Sequence, residues 1–129
     1  MAFPRIYHFA GAAALLASLT ACVPLVQTSV TMTPMSSDVA SAPQRLATEM
    51  IVVPEHAYRR KIKADSQWLR VGSIPQGEVF KAYQDVFTLE GAHVHEAYLV
   101  IDKGILVGFY LPAERSFSAI KTTASITLK

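Results

Sequence analysis

The residues best suited to chemistry lie at His93-Val94-His95-Glu96. In a β-strand, His93 and His95 point to the same face, so two imidazoles can meet one metal ion. A zinc site needs a third ligand and usually a fourth. His56, Asp85 and Glu90 are the candidates, and none stands at a diagnostic spacing; HExxH and CxxC are both absent. The pair reads most simply as surface or structural histidines, with metal binding as the alternative. A second candidate depends on a turn. If Glu90-Gly91 makes a tight hairpin, Asp85 stands opposite Glu96, Tyr83 opposite Tyr98 and Phe87 opposite Val94. Facing carboxylates repel, and such pairs do acid–base work or bind cations. The simpler reading is that the register differs from this one or that both carboxylates reach water. Ser116 and Ser118 lack the G-x-S-x-G context of a nucleophile elbow. Gly72, Gly77 and Gly91 make no phosphate cradle. These residues point to no enzyme.

The elements that must position these residues are short strands. Glu49 to Val53 reads as a strand stopping at Pro54. Gln67 to Ile74 alternates, with Trp68, Arg70 and Gly72 on one side and Leu69, Val71 and Ser73 on the other. Pro75-Gln76-Gly77 is a turn signal. Val79 to Leu89 and Ala92 to Ile101 follow as strands. Asp102-Lys103-Gly104 fits a three-residue hairpin loop with Gly104 at positive φ. It sets Ile101 opposite Ile105, Leu99 opposite Val107, Ala97 opposite Phe109 and Tyr98 opposite Gly108, where the ring can cover the glycine. Ile105 to Leu111 returns and stops at Pro112. Pro112 to Lys121 reads as a loop and Thr123 to Leu128 as a last strand. Both faces of the central strands carry apolar side chains. That predicts an all-β antiparallel meander of six to seven strands, as a strongly curled sheet or small barrel. Tyr83, Tyr98 and Tyr110 make good interface anchors if all three show on one surface.

One stretch near the start carries a different chemistry. Arg5 precedes an uncharged run from Phe9 to Leu19, and Leu19-Thr20-Ala21-Cys22 follows. The run is too short for the roughly 20 residues of a membrane-spanning helix. A charged start, a short apolar run and small residues at its end make a secretory signal. Cys22 is the only cysteine, so it has no disulfide partner within the chain. Leu19-Thr20-Ala21-Cys22 resembles the lipobox of bacterial lipoproteins. The resemblance covers residues 1–22. It implies cleavage before Cys22, a diacylglyceryl group on its sulfur and an amino group that is freed and often acylated. Such a covalent lipid is the only cofactor-like group expected. Each buried methylene adds about 0.8 kcal/mol, so two or more chains make a stable anchor. The family's inner-membrane retention signal is an Asp after the Cys. Val23 stands there instead, which implies the periplasmic face of the outer membrane in a host with two membranes.

Removing the 21 signal residues leaves 108 of 129, enough for one small domain. Net charge is +2, falling to +1 without Arg5. There is no basic excess to neutralise phosphates, so no nucleic-acid partner is expected. Residues 22–44 read as the lipidated cysteine and a flexible tether, with Pro24, Pro34 and Pro43 and the single charge Asp38. A runner-up is that Val23-Pro24-Leu25-Val26 or Val30-Thr31-Met32 orders on a partner as an added strand. Residues 45–129 form the β-rich periplasmic domain. Within it, Arg59, Arg60, Lys61 and Lys63 read as a solvated edge strand. The sharper alternative is a basic strip facing anionic headgroups or lipopolysaccharide. The functional expectation is an envelope lipoprotein with a structural, assembly or secretion-apparatus role through contacts with an envelope protein. The alternatives are a small ligand- or inhibitor-binding barrel and a metal-binding protein using His93 and His95.

Overall fold

Turn residues divide the chain into short segments, and the computed structural model folds them as strands. It describes Ala2, Pro4 and residues 27–36 and 41–129. The strands are β1 (Thr28–Ser29), β2 (Thr33–Pro34), β3 (Gln44–Arg45), β4 (Met50–Val52), β5 (Arg60–Ile62), β6 (Gln67–Ile74), β7 (Gly77–Ala82), β8 (Thr88–Glu90), β9 (Val94–Glu96), β10 (Tyr98–Asp102), β11 (Ile105–Leu111) and β12 (Ser116–Ser125). Among the described residues there is no helix. The all-β class and the curled antiparallel sheet are as expected. The main sheet runs β1-β12-β11-β10-β7-β6-β2, with β3 also on β6.

Backbone contacts draw the ends of this sheet together into a half-barrel. Leu46 bridges Leu128, and Arg45 and Lys129 exchange both of their backbone hydrogen bonds, at 2.6 and 2.9 Å. Residues 44–47 thus lie between β6 and the C-terminal residues. Beyond β4 the chain joins the outer edge of β12: the Glu55 N–H donates to the Ala119 carbonyl at 3.0 Å, and the Lys121 N–H to the Val53 carbonyl at 2.9 Å. The β4–β5 and β8–β9 hairpins adjoin, since the Tyr58 N–H donates to the Glu90 carbonyl at 2.7 Å.

The registers differ from the expected ones, and the turns explain why. The β10–β11 turn uses two residues, Lys103 and Gly104, at φ 48° and 76°. Two positive φ angles make the tight hairpin turn that matches strand twist. Ile101 therefore faces Leu106, and a bulge at Val107 moves the pairing again, so Leu99 faces Phe109 and Tyr98 faces Tyr110. Gly108 is covered by the ring of Phe117 instead of Tyr98. A bulge between Arg70 and Gly72 in β6 likewise sends Trp68 and Ile74 to different apolar clusters although their numbers share parity. The expected loop over 112–121 is mostly strand. Only residues 112–115 turn, and β12 begins at Ser116.

The sheet is apolar on both faces, as expected. The inner face holds Trp68, Phe87, Leu99, Phe109 and Leu111 with Val52 and Ile62 from the first hairpin. Trp68 meets Phe87 edge-on at 5.4 Å, and Phe87 stacks on Phe109 at 5.8 Å. The outer face gathers Ile74, Val79, Val100 and Tyr110, and Val30 and Met32 pack against it. Residues 27–36, expected within a flexible tether, are therefore a strap. β1 pairs with β12, and β2 pairs with β6. The strap adds β1 and β2 to this chain's own sheet; Val30-Thr31-Met32, which the runner-up reading made a strand on a partner, lies between the two and in neither. The physical reason is the apolar outer face, which loses contact with water when the strap covers it. Gly72 permits the approach: a Cβ there would stand 2.4 Å from the Thr33 carbonyl oxygen.

Candidate functional site

The β8–β9 hairpin positions the two histidines. Its loop is Gly91, Ala92 and His93, longer than the expected Glu90-Gly91 turn, so Thr88 faces Glu96 and Leu89 faces His95. Paired residues in an antiparallel ladder share a face. His95 therefore points the way of Leu89, which is buried in the inner core. Its side chain is partly buried, and Nδ1 pairs with the Glu114 carboxylate. Glu114 lies in the β11–β12 turn, whose Arg115 carbonyl accepts the Val30 N–H at 3.0 Å. This side-chain contact joins the hairpin to the same turn that holds the strap.

His93 stands exposed beside this pair, with ring centroids of His93 and His95 6.3 Å apart. Among the described residues no group of three or more His, Cys, Asp or Glu side chains gathers to hold a metal. A carboxylate on Nδ1 fixes the orientation of an imidazole ring. Here that makes a structural link between two turns. Glu114 was invisible in the sequence, because it lies 19 residues from His95 with no motif spacing between them.

The other expected site residues scatter. Asp85 does not meet Glu96: the β8–β9 register puts Thr88 opposite Glu96, and an Asp85 oxygen accepts the Val86 N–H at 2.8 Å. Tyr83 lines a cleft of about 210 Å³ with Arg60, Lys63, Trp68, Asp85 and Phe87. Tyr98 is half-buried and lies 6.1 Å from Tyr110, ring to ring. Tyr110 itself is buried in the outer cluster. The three tyrosines thus form no shared exposed surface. Among the described residues the large exposed apolar side chains are Ile51, Val53, Tyr58, Val86 and Val94. Ser116 is buried and donates to Gln27 Oε1 at 2.9 Å, and Ser118 is buried as well. Cys22 and residues 5–21 before it lie outside the described residues.

The basic run divides by face. Arg60 turns inward, its guanidinium 4.6 Å from the Phe87 ring centre and its Nε donating to the Thr88 carbonyl at 2.9 Å. Arg59, Lys61 and Lys63 are exposed. Comparison with protein-family models, curated proteins and solved structures gives no match for this chain.

Proposed function

We propose that this chain is an envelope lipoprotein held at the outer membrane by a lipid on Cys22, whose β domain works without catalysis by binding another envelope protein. One observation carries the reading: Leu19-Thr20-Ala21-Cys22 follows a charged start and an uncharged apolar run. Two features of the fold favour a protein contact over the other readings. The inside of the curl is filled by Trp68, Phe87 and Phe109, so a ligand has to bind outside it. His95 is engaged by Glu114.

The contact surface we assign is a row across the adjoining hairpins. Tyr58 bonds to Glu90 through the backbone, and Glu90 pairs with Val94. Tyr58 and Val94 are 71% and 66% exposed, so a tyrosine and an aliphatic side chain flank a carboxylate. Exposed tyrosines are frequent anchors at protein interfaces. The test is photocrosslinking in cells from a reactive residue at position 94. The reading expects one envelope protein to be captured, and the adduct to be lost with Tyr58→Ala. Adducts at no envelope protein contradict it.

A further inference from the structure

We propose that the outward face of the β4–β5 hairpin rests on the anionic phospholipid headgroups of the membrane that carries the anchor. The inference rests on the lipid anchor at Cys22.

The face follows from register. Ile51 pairs with Lys61, and Val52 pairs with Arg60. Directly paired residues share a face, and every second residue along each strand joins them. Ile51, Val53, Arg59, Lys61 and Lys63 therefore point outward together, while Val52 and Ile62 enter the core. Ile51 is 50% exposed and Val53 39%. A solvated edge strand accounts for the cations, but not for two aliphatic side chains exposed among them. Lys121 joins the rim through its backbone bond to Val53. Four cations stand there, Arg59, Lys61, Lys63 and Lys121, against Glu49, which is 3.1 Å from Lys61, and Glu55. The balance is positive. Aliphatic groups among cations suit a surface of phosphates over hydrocarbon.

The place where the anchor enters points the same way. Thr28 pairs with Phe117 in β12, so Gln27 comes next toward Ser118. Glu55 follows on the same edge, bonded to Ala119, and Val53 is bonded to Lys121. Lys121 is three residue steps along the strand from Ser118, about 10 Å. Cys22 lies five residues before Gln27, a span of at most about 18 Å. A lipid on Cys22 therefore holds the hairpin face close to the bilayer.

The test uses the lipidated protein in vesicles of phosphatidylethanolamine and phosphatidylglycerol. The acylated Cys22 leaves an introduced thiol as the sole labelling site. Val53→Cys and, on β7 across the half-barrel, Lys81→Cys each receive a nitroxide. Docking predicts that the label at 53 meets an aqueous nickel chelate several-fold less often than the label at 81, and meets oxygen more often. Lys61→Glu and Lys63→Glu then shift the docked-to-free ratio by about fivefold for each positive charge removed. Phosphatidylcholine vesicles weaken the protection. Equal chelate access at both positions, in protein that floats with vesicles and carries the lipid mass, overturns the docking face and leaves the anchor standing. Spin–spin broadening at 53 that disappears on dilution with unlabelled protein shows a second copy on this face, and also overturns it. Protein without the diacylglyceryl mass, which does not float, overturns both readings.

Discussion

The inner face of the sheet meets other parts of the same curl, whereas its outer face meets ten residues that precede the rest of the β domain in the chain. Inside, Trp68, Phe87 and Phe109 interlock, and large side chains contributed by distant segments fill the space. Outside, a smaller cluster around Val79, Val100 and Tyr110 is met by Val30 and Met32 from the strap. The strap is held by two-residue ladders at each end and by single backbone bonds such as Met35 N–H to the Val71 carbonyl. The contrast teaches that the same kind of apolar surface is covered on one side by many interlocked segments and on the other by one segment held through short ladders. Segments with few buried contacts open at lower free energy than the core.

Substitutions can break or sharpen that contrast. The largest effect belongs to the inner face: Phe109→Ala removes a fully buried ring and costs about 3–5 kcal/mol in denaturant unfolding. Gly72→Ala drives a Cβ against the Thr33 carbonyl and costs about 1–3 kcal/mol. Its signature is local. Hydrogen exchange at the Met35 amide accelerates far more than at Leu99, and equal acceleration of both erases the distinction between faces. Met32→Ala strips a half-buried side chain from the outer cluster and costs about 1 kcal/mol, with the same local exchange pattern. Gly104→Ala costs about 1 kcal/mol by thermal or chemical denaturation. Nothing stands within 4 Å of the added Cβ, so the cost is that of holding a side chain at φ 76°. Glu114→Gln is the smallest, at most about 1 kcal/mol, because the His95 pair is partly solvated.

Much of the fold was legible before the structure. The span of β6, the separate strands at Ile51 and in the basic run, and the two-sided apolar strands all follow from alternation and turn residues, whereas the pairing of Ile51 with Lys61 does not. What was hidden has physical causes. The strap looks like a tether because its pairings are two residues long and its apolar residues few. β12 looks like a loop because two of its buried positions are Ser116 and Ser118, which carry no hydrophobic signal. Bulges at Val107 and between Arg70 and Gly72 shift registers that turn counting alone fixes wrongly. Of the candidate site, the histidine spacing was readable. Glu114, which decides what His95 does, reaches it only through the folded arrangement of two turns.

The central claim is that this domain is moored by a lipid close to its first strand. Intact-mass and N-terminal peptide analysis of protein taken from its native membrane tests it most directly. The account predicts a chain beginning at Cys22 and carrying the mass of a diacylglyceryl group, with or without an added acyl chain. A chain beginning at Met1, or a free thiol at Cys22, contradicts it.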